Sequence, residues 1–472
     1  MKMFFCNGKP YFSILKVSFL CIVVANFFIF LQTAPSFTTW IQQEALQEEW
    51  YEFVKDYRQT FRRSPPEGMS RWFEYAQRHE CDTRGVNYQA LNVDLEFFRQ
   101  QNLDQGHKLD MDQVIEKGKQ ITDFFMAFSL EHHKLTIVEY HGKGWGFDWK
   151  PIQWKYTEHL MRGLLEPLRQ HTPPLTLQFI VNMHDKARDA SVNATYPVLS
   201  FCKQDYYTND KKIPNHNNQT TAGKSHLFNA TYNEGPHPNE HPFLASRDLL
   251  IPARSSLVFH RHDFWFWPMY SHGLNFADRD NVINWRGSTT GEWGTGPRFQ
   301  MMRQYGGTRV HPLTDNGVSV DFAFASQIQT PDGEEGSLMQ DGYRFANKMW
   351  YRELQQNKYI LDVDGNGFTG RFPGLLRSGS LIFKSSHYRE WYHGVMEPFQ
   401  HYIPVNYDLS DLVEKVAWAH DHPDVVQQIV TASRKRVETR LRRDDSKCYT
   451  YRMLLEYQTL FEEQKQPKQT QT

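Results

Sequence analysis

Residues 358–372 constrain this chain more than any other stretch. They read Lys-Tyr-Ile-Leu-Asp-Val, then Asp364-Gly365-Asn366-Gly367, then Phe-Thr-Gly370-Arg371-Phe372. A short apolar run that stops at a glycine-rich turn is a buried strand feeding a helix, and strands of that kind belong to sheets covered on both faces. The glycines let the backbone turn sharply and approach a ligand. The next helix's free N–H groups and a guanidinium then face the same point, which is how an anion, a diphosphate above all, is held. The same residues also fit a plain strand-to-helix connection with Arg371 in a salt bridge.

A second stretch repeats the pattern. Residues 281–290 run Asn-Val-Ile-Asn-Trp-Arg286-Gly287-Ser288-Thr289-Thr290, a strand closing on an arginine and small hydroxyl residues before a turn and a helix at 298–305. Two such edges can line one pocket. Together with Leu-Leu-Arg-Ser-Gly-Ser-Leu-Ile-Phe at 375–383 and His-Tyr-Ile-Pro-Val at 401–405, these segments resemble glycosyltransferase family 90, the family of fungal capsule-associated proteins and animal protein O-glucosyltransferases. The resemblance covers about residues 57–457, including a Pro-Pro-x-Gly element at 65–68. It implies a sugar-nucleotide-dependent, inverting transferase of GT-B fold: an α/β protein with two Rossmann-like domains facing a cleft.

A chain of 472 residues is long enough for two cores, and a formal net charge of −1 gives no basic surface for nucleic acid. Residues 17–31 are almost wholly apolar, and extension back to Tyr11 past Lys16 makes a run long enough to cross a bilayer. Lys2, Lys9 and Lys16 precede its core, so the positive-inside rule makes it a signal anchor with everything beyond Thr33 lumenal. A signal peptide cleaved near Ala34 is the competing reading. Acceptor sequons at Asn193, Asn218 and Asn229 agree with a lumenal catalytic part in the Golgi or endoplasmic reticulum, single-pass and type II. Of the lumenal cysteines Cys81, Cys202 and Cys448, at most one pair forms a disulfide.

The expected organisation is a cytosolic tail and anchor (1–37), a helical stem and N-terminal family element (38–100) and a first, acceptor-side Rossmann-like domain (101–275) with a polar insertion at 204–242. A second, nucleotide-sugar domain (276–410), C-terminal helices (411–464) and a polar tail (465–472) follow. Apolar runs at 134–140 and 175–182, separated by a helical pattern at 151–170, are the first strand–helix–strand unit. The resemblance implies that the last C-terminal helix packs back toward the first domain.

A transferase must bind a diphosphate leaving group, orient the sugar and take a proton from an acceptor hydroxyl. For the leaving group the candidates are Arg286 and Arg371, with hydroxyls from Ser288 and Thr289, close backbone approach at Gly287, Gly367 and Gly370, and Asp364 shaping the turn. For the proton, the strand 177–182 ends in Met183-His184-Asp185, and a carboxylate just past the carboxyl end of such a strand points into the interdomain crevice. The resemblance implies that Asp185 is the catalytic base. His184 and Asp189 are substitutes, and His184 stands where the animal enzymes carry arginine. Asp362-Val363-Asp364 looks like the metal-binding Asp-x-Asp of another glycosyltransferase architecture, but in this fold arginines usually replace the metal, so no divalent ion and no essential cofactor is expected. Nor does the run fit a calcium loop, because Pro373 stands where the bidentate glutamate belongs. Trp265, Phe266, Trp267 and Tyr270 are candidate sugar-stacking faces, although such a cluster is more often core.

The expected function is transfer of a sugar, xylose or glucose first, from a UDP-sugar to a hydroxyl of a glycan, glycolipid or glycoprotein, with a cell-surface polysaccharide or glycolipid favoured as acceptor. The alternative is a catalytically silent lumenal protein that binds glycans or UDP-sugars and partners an active transferase.

Overall fold

The computed structural model describes residues 37–105, 109–122, 124–142, 150–184, 196–204, 248–253, 274–291, 293–306, 310–330 and 337–462. The chain divides into two compact units, residues 1–65 and 66–472. The described part of the first is α1 (Phe37–Phe61), the expected stem helix. Along it Trp50, Phe53, Tyr57 and Phe61 form a ladder of ring contacts 4.6 to 5.9 Å between centroids, at helical i,i+3 and i,i+4 spacing. The expected membrane segment lies outside the described residues. Among those residues no helix is long and apolar enough to cross a membrane.

The second unit opens with α2 (Met69–Arg78), α3 (Val86–Gln105) and α4 (Val114–Lys119). Next come strands β1 (Phe124–Glu131) and β2 (Lys134–Gly142), helix α5 (Lys150–Leu164), then β3 (Leu177–Asn182), β4 (Leu199–Ser200), β5 (Lys203–Gln204) and β6 (Leu249–Leu250). Five of these strands make a mixed sheet in the order β2-β1-β3-β4-β6. The expected strand–helix–strand unit is present, with one strand more than the sequence signalled. β1 lies between β2 and β3 and runs antiparallel to both. It forms a hairpin with β2 through His132 and His133, both at positive φ (45° and 67°), a two-residue turn without the usual Asn-Gly mark. The His133 ring, 3.0 Å from the Leu168 carbonyl, holds that turn in place.

The second sheet is built from β7 (Asp280–Ser288), α6 (Pro297–Tyr305), β8 (His311–Pro312) and β9 (Ser319–Ser326), then the short helices α7 (Ser337–Gln340) and α8 (Tyr351–Leu354). The chain continues with β10 (Asn357–Val363), α9 (Phe372–Leu376), β11 (Leu381–Ser385), β12 (Tyr388–Arg389), which lies outside this sheet, and β13 (Ile403–Pro404). Its order is β13-β11-β10-β7-β9-β8, parallel throughout except β8. Period-two alternation divides its faces. Ile283, Trp285, Val320, Phe322, Tyr359, Leu361, Leu381 and Phe383 fill one core, while the opposite face carries Asn284, Arg286, Asp362 and Lys384. Each fully buried large apolar side chain in that core contributes about 1.5–3 kcal/mol.

Helices α10 (Leu412–Asp421), α11 (Pro423–Arg440) and α12 (Arg443–Glu462) complete the chain. As the resemblance implied, α12 returns to the first half, packing on α2, α3 and α5. A Cys81–Cys448 disulfide fixes that return, and Cys202 is buried outside that bridge. β12 pairs antiparallel with β5, a second link between the halves. The insertion at 204–242 from Asp205 onward, the sequons and the 265–270 aromatic cluster lie outside the described residues.

Candidate active site

From β7 the chain passes to β9 on one side and then crosses to β10 on the other, so the sheet's connections diverge between β7 and β10. At such a switch point the carboxyl ends of the strands open a crevice in which ligands of open α/β sheets collect. The loops leaving β7 and β10 meet there. Gly291 N–H donates to Asn366 Oδ1 (2.8 Å), and Gly365 N–H donates to the Gly367 carbonyl (3.0 Å) to close the glycine turn. A Cβ on Gly365 would lie 2.8 Å from Arg298 Nη2 and 3.0 Å from Thr290 Oγ1, so any side chain there would displace the guanidinium from this position.

Arg298, which the sequence reading placed only as part of a helix, is the central cation. Its Nε donates to the Asp364 carbonyl (3.0 Å), and its Nη1 donates to Ser288 O (2.9 Å), Ser288 Oγ (3.2 Å) and Thr290 Oγ1 (2.5 Å). The ring of Trp285 lies 5.6 Å from its guanidinium carbon. Burial first, and the neighbouring Arg371 charge second, push its pKa down to about 10, so it stays charged near neutrality but is strained by a like charge. Arg371 precedes the first residue of α9. Its Nη1 donates to the Arg286 carbonyl (2.7 Å), and its Nε lies 3.6 Å from Asp362 Oδ1. For both arginines, Nη2 meets no hydrogen-bond acceptor among the described residues.

Arg286 is a correction. Its guanidinium was expected in this pocket but is turned onto the neighbouring strand, where Nη2 donates to Asp321 Oδ1 (2.9 Å) and Oδ2 (2.8 Å) and Nη1 to the carbonyls of Trp285 (2.9 Å) and Asp321 (2.8 Å). Arg344 also donates to Asp321. Burial alone would raise the Asp321 pKa, but the hydrogen bonds from Arg286 and Arg344 outweigh it and hold it below the ordinary value. Only the backbone carbonyl of Arg286 reaches the site, through Arg371.

The other expected residues separate similarly. Ser288 lies in the site, while Thr289 Oγ1 donates to the Ile328 carbonyl (2.8 Å) and accepts from Ile328 N–H (2.8 Å), closing the edge of β9. Gly287 serves packing, because a Cβ there would sit 2.4 Å from the Trp285 ring. Gly367 closes the turn, and Gly370 stands on it between Thr369 and Arg371. Asp364 is fully buried and accepts from Ser386 Oγ (2.7 Å) and His387 N–H (2.8 Å); burial pushes its pKa up to about 7. Asp362, equally buried, accepts from Thr369 Oγ1 (2.9 Å) and Lys384 Nζ (3.4 Å). Both aspartates are thus engaged by protein donors. Among the described residues no cluster of three or more His, Cys, Asp or Glu could hold a metal ion.

Asp185 and Asp189 lie outside the described residues. His184, the last described residue before them, donates its backbone N–H to Asn182 Oδ1 (3.3 Å), and its ring meets Phe124 edge-on at 5.5 Å. Asn182 continues a buried polar chain. Its Oδ1 accepts from Thr122 Oγ1 (3.0 Å), its Nδ2 donates to Ser200 Oγ (3.2 Å), and Ser200 Oγ donates to Asp248 (2.5 Å).

The chain is 38% identical over 104 residues to Protein O-glucosyltransferase 2 of Danio rerio, 22% of this chain and 21% of that protein. It is 33% identical over 222 residues to Protein O-glucosyltransferase 1 of Homo sapiens, 44% of this chain and 53% of that one. It therefore spans from about a fifth to about half the length of these relatives. Among solved structures, the C-terminal domain of a glycosyl transferase group 1 family protein from Francisella tularensis matches 38% of this chain and 97% of its own at 11% identity, with a TM-score of 0.26. Sucrose-phosphate synthase from Thermosynechococcus elongatus matches 42% and 51% at 12% identity, with a TM-score of 0.27. Similarity that slight carries no argument about fold. The family whose model matches is Glycosyl transferase family 90, over residues 318–472, a span that contains Asp362, Asp364 and Arg371 and leaves Ser288 and Arg298 upstream. The chain carries a glycosyl transferase family 90 domain over residues 318–472.

Proposed function

We propose that this protein is a glycosyltransferase of GT-B type that moves a sugar, glucose or xylose first, from a UDP-sugar to a hydroxyl of a protein or glycoprotein, with inversion at the anomeric carbon. One observation carries the reading: two adjacent guanidiniums, Arg298 and Arg371, are fixed by backbone carbonyls at the switch point of a parallel sheet, and each keeps one terminal nitrogen without an acceptor among the described residues. Two like charges forced together in a mostly buried setting are matched by an anion of two or more charges, such as a diphosphate. Arginines so placed stabilise the departing UDP without the proton bookkeeping a titratable group would need.

In the proposed reaction the acceptor hydroxyl attacks the anomeric carbon as its bond to the diphosphate breaks. Asp185 takes the hydroxyl proton, a step in which general-base help is worth about 10² to 10⁴ in rate. The names of the relatives favour a protein acceptor over the polysaccharide or glycolipid that the sequence suggested. The Cys81–Cys448 bridge favours an oxidising, secretory compartment, in keeping with a membrane-anchored enzyme of the endoplasmic reticulum or Golgi.

The test is calorimetric titration of the full chain with UDP, followed by release of UDP from a panel of UDP-sugars. Arg298→Ala and Arg371→Ala should each weaken UDP about 10- to 150-fold, the worth of a charge-assisted hydrogen bond. Asp185→Asn should bind UDP normally and transfer nothing. Unchanged UDP affinity in both arginine variants would remove the nucleotide site; hydrolysis of no UDP-sugar by the intact protein would leave a binder in place of an enzyme.

A further inference from the structure

Asp362 has no part in the chemistry above, yet it is a fully buried carboxylate directly behind the site. We propose that Asp362 is the positioning residue for Arg371, an inference that rests on the nucleotide reading of the arginine pair. Three groups converge on it. Thr369 Oγ1 donates to its Oδ1 (2.9 Å), Arg371 Nε lies 3.6 Å from the same oxygen, and Lys384 Nζ approaches Oδ2 (3.4 Å). The first pins the loop two residues before the arginine, and the second holds one edge of the guanidinium itself. A second edge is held by the Arg286 carbonyl at 2.7 Å, which leaves Nη2 as the nitrogen without an acceptor among the described residues.

An arginine side chain has considerable rotamer freedom to lose when it binds a ligand, and fixing two of its edges in advance removes that cost from the binding step. Lys384 explains why the carboxylate does not simply neutralise its arginine. Its ammonium, buried and 4.1 Å from the Phe372 ring centroid, shares Asp362, so one negative charge serves two positive ones and the site keeps a surplus for an anion. Asp364 works elsewhere, on Ser386 and His387. The Asp-x-Asp that suggests a metal motif in the sequence thus holds an arginine with its first member.

The experiment is a double-mutant cycle on the full chain, with UDP as the titrant in calorimetry and melting temperature as the check on folding. Asp362→Asn should weaken UDP about tenfold in the natural background and have no further effect in Arg371→Ala, because interaction through a shared partner is non-additive. An equal loss in both backgrounds, or none in a folded variant, overturns the inference. Should Asp362→Asn not fold, Thr369→Val takes its place: it keeps every charge and should cost about threefold, again only when Arg371 is present. No loss there also overturns it. If Arg371→Ala itself leaves UDP binding unchanged, the failure belongs to the nucleotide reading beneath.

Discussion

The two sides of β7 put the same side chain to opposite uses. Toward β9, Arg286 and Arg344 close on Asp321, and the charges are satisfied inside the protein. Toward β10, Arg298 and Arg371 are tied mainly to carbonyls and hydroxyls, which orient a guanidinium without cancelling its charge. An arginine gripped by both oxygens of a carboxylate belongs to the fold, and one whose hydrogen bonds go to neutral acceptors keeps its charge for a ligand. Only the distribution of acidic residues distinguishes them: β9 offers Asp321 on the face shared with Arg286, whereas Arg371 must share Asp362 with Lys384.

The sharpest way to break this contrast is Arg286→Ala. Removing Arg286 leaves Asp321 with Arg344 alone, so stability should fall by less than the roughly 3–5 kcal/mol that a fully stranded buried charge costs, read as a shift of the urea midpoint. UDP affinity of the molecules still folded should change less than in Arg298→Ala. A variant as stable as the natural protein that had lost UDP would return Arg286 to the pocket and dissolve the contrast.

The contrast also marks where sequence reading succeeds. The run from Lys358 was legible as strand β10 because its apolar residues stop just before glycine, and the loop-to-arginine order put Arg371 at the start of α9. The C-terminal helices were legible from their periodicity. Arg286 was misassigned because a strand's pattern gives the face of a side chain but not what the next strand offers it. β9 lies 35 residues away, and nothing near 286 announces Asp321. The hairpin strand β1 was missed because its turn uses two histidines at positive φ, a rare choice for anything but glycine or asparagine. Arg298 did leave a signal. It is the second residue of α6, where a cation opposes the helix dipole and an acidic residue is the usual choice. The anion proposed for this site would offset that charge.

Arg298→Lys sharpens the comparison at a middle scale. Lysine keeps the charge but cannot donate at once to the Asp364 carbonyl, to Ser288 and to a ligand, because its ammonium is a point on a flexible stem and not a planar fork. If fixed geometry matters and not charge alone, UDP should bind about tenfold more weakly, with the melting temperature little changed. Equal affinity would mean that a positive charge anywhere near Ser288 suffices.

The smallest effect expected concerns Asp364, whose carbonyl holds Arg298 and whose carboxyl is buried. Burial raises its pKa to about 7, against the opposing influence of Lys384, Ser386 and the His387 N–H. A carboxyl raised in the folded state binds a proton there that the unfolded chain has already released, so it favours the fold at low pH and that contribution is lost as pH climbs through about 7. Glu390, also buried and pushed up to about 8, adds a similar slope in the same direction over an overlapping range that reaches about one pH unit higher. Asp364→Asn preserves both contacts, its amide oxygen accepting from His387 N–H and its amide nitrogen donating to Ser386 Oγ. It should therefore flatten the decline of stability between pH 6 and 8 by at most about 1.4 kcal/mol per pH unit, leaving the part due to Glu390. Urea midpoints at pH 6, 7 and 8 measure this. Parallel profiles for the two proteins would mean that Asp364 is already ionised across the whole range, and that the cations acting on it, Lys384 and Arg298, are neutralised from within on this side of β7 as well.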